Sequence, residues 1–134
     1  MKSFLILILC LIFIDLSTQD QATYNVANTL FFRRYLGIHD EESFNFIISD
    51  HFKHTLCTGE VVTHDKAMIM EDVKNINNLW RKSNVIYVDS VFVPGQNQLD
   101  FDVRNRLTEK ELVSAWHAEL RGPNWKLVSR HDKC

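Results

Sequence analysis

The chain reads as an α+β domain of three helices packed on a curved antiparallel sheet, in the order α-α-β-β-α-β-β-β-β. Three observations predict it. Apolar residues recur at helical spacing in three segments of the first two thirds of the chain. From Asn84 onward the apolar period changes to two, as in strands with one buried face. The turn signals "PGQN", "LTEK" and "RGPN" divide this region into four strands, whose common apolar face needs helices to cover it.

The N-terminal stretch "MKSFLILILCLIFIDLSTQDQ" stands apart from that domain. Lys2 precedes an unbroken apolar run from Phe4 to Ile14, too short to cross a bilayer as a helix and matched to the core of a secretory signal peptide. Residues 1–19 are therefore expected to be a leader, cleaved between Ser17 and Ala22, with the domain over residues 20–134. Its removal takes Cys10 with it. Cys57 and Cys134 remain, and an even pair in a secreted, extracellular protein predicts one disulfide. The bridge closes a loop of about 77 residues and ties the last strand to the middle of the chain.

The first helix comes from "TYNVANTLFFRRYLGIHD", where Ala27, Leu30, Phe31, Arg34 and Tyr35 share one face and Gly37 offers a left-handed stop. "DEESFNFIIS" begins a second, with Asp40 as N-cap, acidic residues in the first turn, and Phe44, Ile47 and Ile48 as its apolar stripe. "FKHTLCTGEVV" predicts two short strands around Thr58-Gly59. "THDKAMIMEDVKNINNLWRK" is the third and longest helix, capped by Thr63 or Asp65, with Ile69, Val73, Ile76 and Trp80 facing the core.

The four strands then fall at about 84–93, 98–107, 110–120 and 125–132. A turn at Gly95-Gln96 pairs Phe92 with Leu99, Ser90 with Phe101 and Val88 with Val103. The next, at Thr108-Glu109, pairs Val103 with Ser114 and Phe101 with Trp116. The last pairs Leu120 with Trp125 and Ala118 with Leu127. These registers collect Ile86, Val88, Phe92, Phe101, Trp116 and Leu127 on one face, since a slip of one residue would reverse every side chain. The other face gains the pairs Arg106 with Glu111 and Glu119 with Lys126.

With this element order, and with "FKHTLCTGEVVTHDKAMIM" running from a short hairpin with a cysteine into the long helix, the chain resembles the NTF2-like (SnoaL-like, cystatin-like cone) superfamily, in particular small secreted nematode members. The resemblance spans the domain and implies a first short strand lying beside the last, so that Cys57 and Cys134 are neighbours. The cystatin inhibitors fit less well. "GPNWKL" has Asn124 between Pro123 and Trp125, there is no Gln-x-Val-x-Gly loop, and two extra helices precede the sheet.

The resemblance also implies a pocket between helices and sheet, where many members bind or transform small apolar molecules. The candidate lining is Tyr35, Trp80, Ser90, Asn105, Ser114, Trp116 and Ser129, with Tyr24 as a further wall and His131 near the mouth. Asn105 is the sharpest of these, because an inward amide needs partners from the core or from a ligand. A binding module for a small apolar ligand or a protein partner is the first functional expectation. The alternative is an isomerase- or cyclase-like enzyme in the same pocket. An inward carboxylate or histidine facing a cavity above about 300 Å³ would mark the enzyme.

The registers turn Asp89, Asp100, Asp102, Glu111 and Glu119 outward and leave Asp50, His54 and His131 as the only acid–base candidates, so no catalytic residue is assigned. His117 lies opposite Asp100 on the outer face. His51 and His54 are three apart on a strand and do not converge on a metal. No phosphate-binding glycine loop or cofactor motif is present, and a formal net charge of −2 provides no field for nucleic acid or an anionic membrane. On the outer face, Tyr87, Val91, Val113, Ala115 and Val128 form an apolar strip, through which the resemblance implies a homodimer.

Overall fold

The computed structural model describes residues 21–62, 65–81, 85–107 and 110–134. The expected leader, the turn at Thr108-Glu109, the cap at Thr63 and the side chain of Trp80 lie outside the described residues. The first helix, α1, covers 21–28 and continues as a π-helical segment, Thr29–Tyr35. α2 is Glu41–Ile47, β1 Ile48–Thr55, β2 Val61–Val62 and α3 Lys66–Arg81. The meander follows as β3 (Val85–Phe92), β4 (Gln98–Leu107), β5 (Lys110–Arg121) and β6 (Asn124–Lys133). No described helix is long and apolar enough to cross a membrane.

Local chemistry accounts for the helix ends. Asp40 accepts from the Ser43 amide at 2.8 Å, and the Ser43 hydroxyl accepts from the Asp40 amide at 3.1 Å, a reciprocal cap that starts α2. Asp65 caps α3 by accepting from the Met68 amide at 2.8 Å. Two expectations change in α1. Its last turns are π-helical, closed by the Leu36 amide on the Phe31 carbonyl at 3.0 Å. In that wider turn Arg34 leaves the buried face and its guanidinium lies 4.8 Å over the exposed Phe46 ring. Gly37 is not a left-handed stop. It is required because a Cβ there would lie 2.3 Å from the Arg33 carbonyl oxygen.

The sheet has the order β2-β1-β6-β5-β4-β3. It is mixed rather than antiparallel throughout, because β1 runs parallel to β6. β1 also starts four residues before the expected hairpin, directly from the end of α2, which shortens that helix's stripe to Phe44 and Ile47. The β5–β6 hairpin closes on Gly122-Pro123, with Gly122 at φ 61°, the left-handed residue such a tight loop needs first. The expected pairs Val103 with Ser114, Phe101 with Trp116, Leu120 with Trp125 and Ala118 with Leu127 all form.

Two bulges alter the rest. In β3 one extra residue lies between Val88 and Val91, so Val91 rather than Ser90 faces Phe101, and Phe92 pairs with Asp100. Val91 consequently packs against the core, while Ser90 and Phe92, expected inside, are exposed. In β6 the extra residue is Val128. Leu127 pairs with Ala118 but Ser129 with His117, which places Ser129 and His131 on the outer face and turns Arg130 and Asp132 toward the helices. The core beneath is built from α1 (Leu30, Phe31, Tyr35), α3 (Ile69, Val73) and the inner sheet face, with Trp116 2% exposed at its centre.

Cys57 and Cys134 are bridged, with Cα atoms 5.1 Å apart. The bridge anchors the β1–β2 turn to the end of β6, where backbone pairing stops. Cys134→Ser is expected to lower unfolding stability by about 4 kcal/mol at most. Cys57→Ser should cost a similar amount, and the double variant no more than either, as read by urea denaturation. Alkylation of the unreduced mature protein should label neither cysteine by mass. Two labels would rule the bridge out.

Candidate functional site

Between α3 and the inner face of β3–β6 lies a cavity of about 530 Å³. Phe31, Ile76, Ile86, Val103, Leu112 and Trp116 supply its apolar walls, and the Cys57–Cys134 bridge sits at its rim. Its polar side chains are Asp72 and Asn75 from α3, Asn105 from β4, Ser114 from β5, and Arg130, Asp132 and Lys133 from β6. A depression of similar volume, about 540 Å³, runs along another face of α3 from Ile38 to Asn78, but it is more open and half of its lining residues are exposed.

Arg130 organises the polar wall. Its side chain is 15% exposed, and it donates to Asp72 and to Asp132, each at 2.8 Å. Its guanidinium lies 5.3 Å from the centre of the Trp116 ring. Asp72 also accepts a hydrogen bond from the Tyr35 hydroxyl, and Asp132 is bound to the buried His54 at 2.7 Å. Four elements thus meet in one network: α1 through Tyr35, α3 through Asp72, β1 through His54 and β6 through Arg130 and Asp132. A charge this poorly hydrated persists only because it is paired on both sides.

The protonation states follow. Burial pushes the Tyr35 phenol well above its ordinary range, and the neighbouring Asp72 charge pushes it further. Burial works against the Arg130 cation, but Asp72, Tyr35 and Asp132 outweigh it and raise its pKa. Burial likewise works against the Asp132 carboxylate, yet the His54 hydrogen bond and the Arg130 charge hold it below the usual range. Asp132 is therefore a firmly ionised, weak base.

Ser114 accepts the Trp116 indole N–H at 2.9 Å. Asn105 is different: its Oδ1 is sealed from solvent and has no hydrogen-bond partner among the described residues. Around Trp116 the rings of Tyr35, Phe31 and Phe101 pack with centroids 4.7, 5.7 and 6.3 Å away.

Of the sequence-derived lining, Asn105, Ser114 and Trp116 border the cavity, and Tyr35 lies behind it in the network. Ser90 and Ser129 do not border it, for the bulges described above. Tyr24 instead donates its hydroxyl to the Val88 carbonyl at 3.0 Å, joining α1 to β3. Among the acid–base candidates His54 is buried, whereas Asp50 and His131 are exposed. Asp72, Arg130 and Asp132 were not anticipated. Asp72 carried a legible signal, since it lies three residues after the buried Ile69 on α3; the other two depend on the Val128 bulge.

On the outer face His117 bridges Asp100 and Glu119; Glu119 stands opposite Lys126 as expected, but its carboxylate forms its ion pair with Arg121. Lys126 reaches instead to the Asn45 and Phe46 carbonyls at the end of α2. Of the expected outer strip, Tyr87 is exposed, Val113, Ala115 and Val128 are part-buried, and Val91 has left it for the core.

No protein-family model matches the chain, and no curated protein matches it in sequence. Solved structures do share its fold. An NTF-2-like protein of unknown function from Silicibacter pomeroyi superposes with a TM-score of 0.59 at 13% identity, over 87% of this chain and 97% of that one. A domain of unknown function with a cystatin-like fold from Nostoc punctiforme gives 0.55 at 11% identity, over 82% and 76%. A de novo designed NTF2-fold protein gives 0.54 at 11% identity, over 85% of each chain.

Replacing Arg130 by Leu removes the guanidinium shared by Asp72 and Asp132, leaving them only the Tyr35 hydroxyl and His54, and is expected to cost about 3–5 kcal/mol in urea denaturation. The pH profile should carry two signatures. Because the Asp132 pKa is depressed, its contribution is present above about pH 4 and lost as pH falls through the folded value. Because the Tyr35 pKa is raised, the unfolded chain ionises first above about pH 10, and stability falls as pH rises. Tyr35→Phe should therefore show a shallower alkaline limb than the parent, and an unchanged limb would count against a neutral, buried phenol.

Proposed function

We propose that this chain, which has the NTF2-like fold, is a secreted binding module that takes a small apolar ligand into the cavity between α3 and its sheet. The observation that carries the reading is the lining of that cavity. Apolar walls with a few convergent polar groups are what a small-molecule site requires, and the volume of about 530 Å³ lies within the range of such sites. Asn105 supports the same reading, since its amide oxygen has no partner among the described residues. Secretion rests on the leader-like N-terminal sequence and on the Cys57–Cys134 bridge, which favours an oxidising compartment.

One observation favours a second reading, an isomerase- or cyclase-type enzyme: Asp72 and Asp132 face a cavity above the size threshold. Proton abstraction needs a carboxylate or histidine able to take a proton near neutral pH. Both carboxylates are instead bound to Arg130, and Asp132 is held below the usual range. Binding is thus the better supported function.

Thermal unfolding with a panel of fatty acids, fatty alcohols and sterols tests it. At least one ligand should raise the melting temperature in proportion to the logarithm of its concentration above saturation. It should also be recovered chemically unchanged. Trp116→Ala is expected to cost about 3–5 kcal/mol and to abolish that ligand-dependent rise. Silence across the panel would reject the ligand reading. Conversion of a ligand, lost in a folded Asp132→Asn variant, would transfer support to the enzyme.

A further inference from the structure

The cavity contains two kinds of polar group, and they point to one class of ligand head. The charged groups are already matched. Arg130 spans Asp72 and Asp132, Asp132 has His54 on its second oxygen, Tyr35 serves Asp72, and Lys133 at the rim is bound by Asp102 at 3.2 Å. A carboxylate head would enter as a third anion on a single guanidinium, with no unpaired counter-charge among the described residues that line the cavity. An ammonium head would lose its hydration for carboxylates whose hydrogen bonds are largely taken.

The groups without a full set of partners among the described residues are neutral: Asn75, exposed on α3, and Ser114 and Asn105 on the inner face of the sheet. Ser114 uses its oxygen to accept from Trp116, and no hydrogen bond donated by its hydroxyl is recorded among the described residues. The Asn105 amide leaves Oδ1 without a partner and without solvent. Rotation about its Cβ–Cγ bond brings either the oxygen or the nitrogen to the cavity wall. The two residues are neighbours on the same sheet face. Val103 pairs with Ser114 and Asn105 with Leu112, so Asn105 and Ser114 stand diagonally across β4 and β5. Their backbones are roughly 7–8 Å apart in such an arrangement, a gap that one hydroxyl can bridge between two inward side chains. A hydroxyl both donates and accepts, so it satisfies the amide in either orientation and Ser114 at once.

We propose that the cavity selects an uncharged amphiphile, an apolar body carrying a single hydroxyl head held between Asn105 and Ser114, and that it rejects the matching carboxylic acid. This rests on the ligand-binding reading above and specifies its ligand class.

The test is competition at pH 7 against Nile red bound to the mature, disulfide-intact protein, using dodecanol, dodecanoic acid, dodecylamine and dodecyl methyl ether. Dodecanol is expected to displace the dye at a concentration about tenfold below each of the others. Asn105→Leu should reduce that preference to about twofold while the ether, which cannot donate, competes as before. Ser114→Ala should weaken dodecanol and the ether alike, since both can accept from the serine hydroxyl, and so reduce the preference over the acid and the amine. Asn105→Leu should also melt no lower than the parent, because it replaces an unsatisfied amide by an apolar side chain of similar size. Equal or tighter competition by the acid or the amine overturns the head-group assignment and leaves the apolar-ligand reading standing. A preference unchanged in both variants removes Asn105 and Ser114 from it. Failure of all four compounds to displace the dye or to raise the melting temperature overturns both.

Discussion

One residue of β6, Val128, decides what the inside of this protein is made of. As the extra residue of a bulge it has no partner on β5, and every side chain after it is transposed to the opposite face. Without the bulge Ser129 and His131 would face the helices, and Arg130 and Asp132 would lie in solvent. With it, a guanidinium and a carboxylate enter the apolar cone. Everything else about the site answers that placement: Asp72 on α3, Tyr35 on α1 and His54 on β1 all meet the two intruders.

The network is costly to desolvate, and a well-packed apolar replacement of similar volume is often no less stable. Its physical effect is to tie together elements far apart in sequence. Tyr35 and Asp72 are separated by 37 residues, Asp72 and Arg130 by 58, and His54 and Asp132 by 78. The disulfide acts at the same end of the sheet, where β1 and β6 run parallel. Together they link α1, α3, β1 and β6 at one end of the sheet, while the aromatic cluster around Trp116 fills the centre of the core. The cavity therefore lies between a paired polar wall and an aromatic floor.

On the proposed reading, that arrangement favours binding over catalysis. A cavity with ionised groups free to exchange protons invites acid–base chemistry, whereas here the buried charges neutralise one another. Among the described residues of the inner sheet face, the Asn105 amide and the Ser114 hydroxyl are the polar groups without a full set of partners. The inward face thus combines charge pairing, which stabilises the fold, with uncharged hydrogen-bonding capacity, which suits recognition.

Much of the architecture was legible in the residues themselves. The caps at Asp40 and Asp65, the stripe of Ile69 and Val73, the pairs Phe101 with Trp116 and Ala118 with Leu127, and the cysteine pairing all follow from local pattern or simple counting. Apart from the cysteine pairing, which rests on an even count, each reports a preference that a residue expresses within its own helix or hairpin. Asn105 and Ser114 were legible for the same reason, since β4 and β5 pair without interruption between them. The inward turn of Arg130 and Asp132, the outward turn of Ser129 and Phe92, and the parallel docking of β1 were not. Strand alternation has a period of two but carries no mark of where an extra residue will be inserted. That choice was made by tertiary structure, because inward charges on β6 gain their partners only once α1, α3 and β1 have packed against it.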